Sequence, residues 1–129
     1  MEDFGMHKTV TMGFDETVVR ITEKLAAEGF GVLTDIDLAE AFKNKLGVSH
    51  SRYRILGACN PPLAHRAVTA LPEIGLMLPC NVVVREGAGG STIVSVFDPM
   101  AFAAAGAPPA IREIAEDAAG RLSRALAAL

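Results

Sequence analysis

Two β-rich runs joined by a glycine cluster constrain what this chain can fold into more than any other feature of its sequence. The runs cover residues 81–86 and 91–98, and the four residues between them read GAGG. Glycine adopts the positive-φ conformations of tight hairpin turns at no steric cost. The sequence therefore predicts an antiparallel hairpin, which argues against a purely parallel, doubly wound sheet.

Strand-like and helix-like segments alternate before this hairpin. The predicted strands cover residues 6–13, 30–34 and 51–59, and the predicted helices cover residues 15–28, 38–46 and 61–71. No glycine-rich phosphate-binding turn follows the first strand. The order predicts an α+β fold, a two-layer sandwich with a mainly antiparallel sheet packed against helices.

The segments on either side of the hairpin are less regular. Residues 72–79, bracketed by two prolines, are expected to cross over the core irregularly. Residues 100–106 are rich in alanine and are expected to be loosely ordered. Pro108 and Pro109 then open a long C-terminal helix with an apolar stripe, which must lie across the sheet.

Capping residues predict where the first two helices begin and where they end. Asp15 is predicted to cap the first helix and Asp37 the second, because a carboxylate accepts the free N–H groups of a first turn. Gly29 and Gly47 suit the left-handed conformation that follows the end of a helix.

Length and composition indicate one domain over residues 1–129. Half of the residues are apolar and 21% are charged, which is an ordinary balance for a globular protein. A domain of this size buries enough surface that neither a disulfide nor a structural metal is needed for stability. Any metal or disulfide would therefore be functional, and we expect no metal and no cofactor.

Charge and aromatic content disfavour several partners. The net charge is −3 and aromatic residues make up 5%, so neither a basic stripe nor a set of stacking rings is available for nucleic acid. Glu2 and Asp3 occupy positions where a signal peptide is basic. No stretch reaches the roughly 20 apolar residues of a spanning helix. We expect a cytoplasmic protein with reduced Cys59 and Cys80 and no membrane partner.

Two Cys-Asn pairs, Cys59-Asn60 and Cys80-Asn81, mark the candidate site. If the strands that end at Cys59 and begin near Cys80 are antiparallel neighbours, both pairs lie at the same edge of the sheet. The hairpin returns Asp98 to that edge as well. The ligand-binding candidates are Cys59, Asn60, Cys80, Asn81 and Asp98.

A helix start is expected at the same edge. The helix that begins at Pro61 would present free N–H groups there, and such groups favour an anion or a thiolate. His65 lies on the polar side of this helix.

Each candidate also has a purely structural interpretation. A free cysteine is commonly a small buried hydrophobe. Asn60 and Asn81 can cap a helix or satisfy strand ends, and Asp98, which precedes a proline, can be a turn residue. No metal-ligand spacing accompanies the thiols. A dithiol redox role stays open, because it depends on a distance between the sulfurs.

Two long blocks of the sequence resemble the DUF302 family, a prokaryotic domain of unknown function. They read RILGACNPPLA from Arg54 and IGLMLPCNVVV from Ile74, and Asp98-Pro99 follows them. The resemblance implies a small domain whose curved antiparallel sheet packs on helices in a TATA-binding-protein-like topology, often as a dimer. It implies no reaction and transfers no catalytic residue.

Three functions compete at this point. The first is a homodimeric binding module with a pocket at the Cys59/Cys80 edge, closed by residues 100–109, for a small, partly apolar or anionic ligand. The second is a thiol-dependent redox or transfer enzyme in which Asp98 or His65 carries a proton. The third is a structural interaction domain that dimerises through the strand face at Tyr53 and Arg54 or through the final helix.

Overall fold

A single antiparallel sheet organises the structure, a computed structural model that describes residues 3, 5–104 and 106–129. Glu2 and Ala105, which two of the expectations above include, lie outside the described residues. The five strands pair in the order β1-β5-β4-β3-β2, and every neighbouring pair is antiparallel. The strands are β1 (Gly5–Val10), β2 (Gly31–Asp37), β3 (Tyr53–Cys59), β4 (Cys80–Glu86) and β5 (Thr92–Phe97).

The predicted hairpin is confirmed. β4 and β5 pair from Val82 opposite Val96 to Glu86 opposite Thr92. A short 3₁₀ turn, Ala88–Gly90, joins them, and Gly89 and Gly90 both have positive φ. These two glycines supply the left-handed residues that the turn requires.

Helices lie between most consecutive strands, and two more follow β5. They are α1 (Phe14–Ala27), α2 (Leu38–Leu46), α3 (Pro61–Ala70), α4 (Met100–Ala104) and α5 (Pro109–Ala127). A 3₁₀ helix, Pro72–Met77, lies between α3 and β4. Among the residues that the structure describes, no helix is both long enough and apolar enough to cross a membrane.

The core lies between the sheet and helices α1, α3 and α5. Alternate strand residues such as Val82, Val84, Val94 and Val96 are buried against it, as the period-2 geometry of a strand requires. The apolar stripe of α5 packs on the same face, with Leu122 fully buried. The fold is thus the predicted α+β sandwich, with a long C-terminal helix across the sheet.

Three local expectations need correction. Asp15 does not cap α1, because Gly13 is the N-cap and the Asp15 carboxylate pairs with Arg52 at 2.8 Å. Residues 100–104 form α4, and residues 72–77 form a 3₁₀ helix where an irregular crossing was expected.

The other helix boundaries agree with the sequence. Asp37 ends β2 and caps α2 directly, since its side chain accepts a hydrogen bond from the Glu40 N–H. Gly47 follows α2 in the left-handed conformation, and Gly29 has positive φ after α1.

Candidate functional site

An apolar cavity of about 300 Å³ opens where the ends of β2 and β3 meet α3, α4 and α5. This volume lies at the lower end of the range of small-molecule pockets, roughly 300–1,000 Å³. We call it the Cys59/Cys80 cavity. Its lining comprises Phe30, Leu33, Thr34, Ala58, Cys59, Asn60, Leu63, Ala64, Ala67, Ile74, Leu78, Pro79, Cys80, Phe102, Ile111, Ile114, Ala115 and Ala118.

Strand pairing brings the two thiols to this cavity. β3 and β4 are antiparallel, and their register places Ala58 directly opposite Cys80. Cys59, the next residue along β3, is one position out of register with Cys80, so strand alternation directs the two side chains toward opposite faces at the end of the sheet. Both residues nevertheless line the cavity. Both cysteines are free; Cys80 is buried and Cys59 is half-buried.

Burial makes both thiols weaker acids than ordinary cysteines. It raises the pKa of Cys80 from 9.0 to about 11, with a smaller contribution from the charge of a neighbouring Cys59 thiolate. Burial also raises the pKa of Cys59. A nucleophilic or redox thiol needs the opposite change, because the thiolate is the reactive form.

The start of α3 explains why nothing offsets this burial. Pro61 and Pro62 have no N–H group, the Leu63 N–H donates to Asn60 Oδ1 at 3.2 Å, and the Ala64 N–H donates to the Asn60 carbonyl. Every backbone donor in this fully described first turn is thus absent or engaged. The expectation of free N–H groups that favour an anion or a thiolate is therefore wrong.

A β-bulge shapes the mouth of the cavity. Val32 lies opposite Ala58 and Thr34 opposite Gly57, so Leu33 is an extra residue in β2. Leu33 lines the cavity although its side chain is 69% exposed, which places it at the entrance. Pro79 also lines the cavity, and its ring lies beside Thr34 on the same side of Gly57.

Three of the five candidate residues line the cavity, namely Cys59, Asn60 and Cys80. Asn81 is exposed opposite Gly57, and it borders a separate shallow groove beside the 3₁₀ helix. Asp98 Oδ1 accepts a hydrogen bond from the Met100 N–H at 2.9 Å and is not part of the lining. Ligand binding by any of the five stays a prediction.

The walls of the cavity were not identified as site residues from the sequence. Ile111, Ile114, Ala115 and Ala118 belong to the apolar stripe of α5, and such a stripe predicts core whether or not it borders an empty space. Phe102 comes from α4, so the segment expected to close the pocket does contribute one wall.

The described residues contain no cluster of three or more histidine, cysteine or acidic side chains that could hold a metal ion. His65 is exposed on α3 and does not line the cavity. The polar side chains at the cavity are thus two thiols with raised pKa values, the Asn60 amide and the Thr34 hydroxyl.

The fold and the site define a class: an α+β domain with one antiparallel sheet, helices packed against it and an apolar cavity at the sheet's end. The sequence model of DUF302, domain of unknown function, matches residues 6–129. The chain therefore belongs to the DUF302 family.

A solved relative agrees with this assignment. The crystal structure of an uncharacterized conserved DUF302 protein from Bacillus stearothermophilus has 34% sequence identity with the chain and a TM-score of 0.87. The match covers 96% of each chain. No protein with curated function matches.

Proposed function

We propose that this protein is a small-molecule-binding module whose ligand occupies the Cys59/Cys80 cavity. The supporting observation is the cavity itself: an open, almost wholly apolar space bordered by a few polar groups, which is the usual composition of a ligand site. Without a ligand, the apolar lining of an open cavity faces water and lacks the packing contacts of a close-packed interior. A bound ligand would restore them.

The same observations weigh against a thiol-dependent enzyme. The pKa values of both cysteines are raised by burial, and the first turn of α3 has no spare donor to stabilise a thiolate. Asp98, one of the two proposed proton carriers, is engaged as a cap. The binding module is therefore the function that the geometry supports best.

Ligand-dependent shifts in melting temperature test the proposal. We expect at least one member of a panel of small organic molecules to raise the Tm of the wild-type protein, because a ligand that binds only the folded state stabilises it. Ala64→Leu adds a larger side chain to the lining of the cavity and should abolish the shift. Ala70→Leu on the same helix is the control, since Ala70 is exposed and lies outside the lining.

Two outcomes contradict the proposal. One is a panel that leaves the Tm unchanged even at ligand concentrations in the millimolar range. The other is an equal shift in Ala64→Leu and in the wild type, which would locate binding elsewhere. Ala118→Leu, at the buried end of the cavity, provides a second variant.

We also propose that the module is a homodimer, and that the β2–α2 edge forms the contact. The apolar stripe of α2 includes Leu38, Phe42 and Leu46, yet no residue of this helix is fully buried. Ile36 and Val48 beside it are 49% and 47% exposed. A two-fold contact would bury this apolar patch on both copies at once.

The two interfaces considered from sequence are less suitable. The apolar stripe of α5 already packs in the core, and Arg54 forms an ion pair with Asp35. A purely structural interaction domain would share the β2–α2 contact but leave the cavity unused, so the Tm experiment separates it from the binding module.

A further inference from the structure

We infer that the Cys59/Cys80 cavity accepts an uncharged, hydrocarbon-rich molecule and discriminates against anions. This inference rests on the binding function proposed above and names the class of its ligand. None of the residues that form the lining is charged. The polar groups that border the space are the Thr34 hydroxyl, the two thiols and the Asn60 amide.

These polar groups offer little to an anion. The N–H groups in the first turn of α3 are absent or engaged, so the remaining donors are the Asn60 NH2 group and the Thr34 hydroxyl, and neither carries a charge. The thiols are neutral at physiological pH, because burial raises the pKa of both cysteines. A neutral thiol is only a weak hydrogen-bond donor.

The Arg121 guanidinium lies near Asn60 but already forms hydrogen bonds with other groups. Arg121 and the Asn60 amide both approach Gly29, behind the cavity. Arg121 Nη1 donates to the Glu28 carbonyl at 3.1 Å, and Arg121 Nε donates to Asp117 Oδ1 at 2.7 Å. The guanidinium therefore links α5 to the end of α1, and Arg121 does not line the cavity.

The walls, in contrast, match a hydrocarbon. Phe30, Ile74, Phe102 and Ile111 are all buried and all contribute to the lining. An alkyl or ring system placed among them gains dispersion contacts and leaves water. A charge carried into the same space would lose its hydration without gaining a counter-charge, because no charged residue lines the cavity. The exposed mouth at Leu33 and Thr34 is the place for a neutral polar group of the ligand.

Three probes of equal chain length test the inference: 1-octanol, octanoate and octylammonium. Their affinities are measured near neutral pH by titration calorimetry or by displacement of an apolar fluorescent dye. We expect 1-octanol to bind at least about tenfold more tightly than either charged probe, because a buried charge here has no counter-charge. Ala64→Leu should weaken binding of 1-octanol, whereas Ala70→Leu should not.

A variant that introduces a positive charge at the mouth tests the same inference by changing the protein instead of the ligand. Leu33→Lys places an ammonium group at the mouth, and the exposure of Leu33 makes the change compatible with folding. It should raise the affinity for octanoate by about threefold or more while leaving that for octylammonium lower than in the wild type. Val68→Lys adds the same charge at an exposed site on α3 outside the lining and should have no such effect.

The possible results separate the two proposals. If octanoate binds as tightly as 1-octanol in the wild type, and Ala64→Leu abolishes both, the ligand class is wrong and the binding function stands. If none of the three probes binds although a molecule of the panel raises the Tm through this cavity, the ligand class is again wrong and the binding function stands. If neither the probes nor the panel binds, or if Ala64→Leu leaves all binding unchanged, the binding function fails and this inference fails with it.

Discussion

Cys80 shows most clearly how its surroundings change the chemistry of a single residue. In sequence it is half of a Cys-Asn pair that invites a catalytic interpretation. In the structure it is buried opposite Ala58, with a pKa raised to about 11. The same burial that places the thiol beside a cavity also keeps it protonated, so its contribution there is that of a small apolar surface.

This shift in pKa predicts a pH dependence of stability. The unfolded chain ionises Cys80 near 9.0, whereas the folded chain retains the proton until about pH 11. Between these values the unfolded state binds fewer protons, so the free energy of unfolding must fall as the pH rises. The loss attributable to Cys80 is on the order of 2 kcal/mol across this window.

Urea unfolding of the wild type and of Cys80→Ala at several pH values between 8 and 11 measures the effect. Cys80→Ala should be less stable at neutral pH but should show a shallower decline. Cys59→Ala retains Cys80 and should decline nearly as steeply as the wild type. Equal slopes in the wild type and Cys80→Ala would mean that Cys80 ionises normally in the folded state.

Asn60 has the structural role, helix capping, that its sequence position allows as an alternative to ligand binding. Its side-chain oxygen, Oδ1, caps α3 by accepting a hydrogen bond from the Leu63 N–H, as asparagine at a helix start commonly does. Asp15 shows the limit of such local reasoning. A carboxylate at the start of a helix is a plausible cap, but Arg52, far along the chain, engages it.

Among the elements, the β2–β3 pair decides the shape of the cavity mouth. The bulge at Leu33 shifts the register, so that Thr34 and Pro79 both approach Gly57 from the same side. A Cβ on Gly57 would collide with Thr34 Oγ1 and lie 2.8 Å from Pro79 Cγ. Glycine is required here because two side chains occupy the space that its own would fill.

Gly57→Ala should therefore destabilise the protein by about 1–3 kcal/mol, the usual cost of overpacking. Gly31→Ala on β2 is the matched control, since no atom lies within 4 Å of a Cβ built there; its effect should stay within about 0.5 kcal/mol. Thr34→Ala should restore part of the loss in the double variant, with an interaction of about 0.5 kcal/mol or more. A fully additive double variant would show that Thr34 is not the obstacle.

The elements themselves follow closely from local sequence. The GAGG turn, the Asp37 cap and the Gly47 terminator were each assigned from a few neighbouring residues, and each is present. The segments at 72–77 and 100–104 were not recognised as helical. Pro72 and Gly75 interrupt the helical pattern at 72–77. Residues 100–104 contain the strong helix formers alanine and methionine, but five residues are too few to show an amphipathic period. Tertiary contacts then decide the conformation.

At the scale of the whole molecule, the β2–α2 edge leaves large apolar side chains exposed. Leu46 is 68% exposed at the end of a helix that has no fully buried residue. Several large apolar side chains exposed on neighbouring elements often mark an interaction surface. A second copy of the chain is the partner proposed for it.

Sedimentation equilibrium tests the dimer. The wild type should have twice the 13.5 kDa mass of the chain. Leu46→Glu should raise the dimer dissociation constant at least about tenfold, because it places a charge in an apolar contact. Val19→Glu, at an exposed position on α1, should leave the dimer intact. A wild type that stays monomeric at high protein concentration would contradict the proposal.

The sequence alone determined the α+β fold, the hairpin and most helix ends, because each depends on backbone preferences and hydrogen bonds within a few residues. It also brought Cys59 and Cys80 to one edge, given that β3 and β4 pair. Only the tertiary structure decided that this edge encloses a space. Small side chains such as Ala67, Ala115 and Ala118 fit a close-packed core or a cavity equally well. The outcome depends on how far α3 and α5 stand from the end of the sheet, and no local pattern encodes that distance.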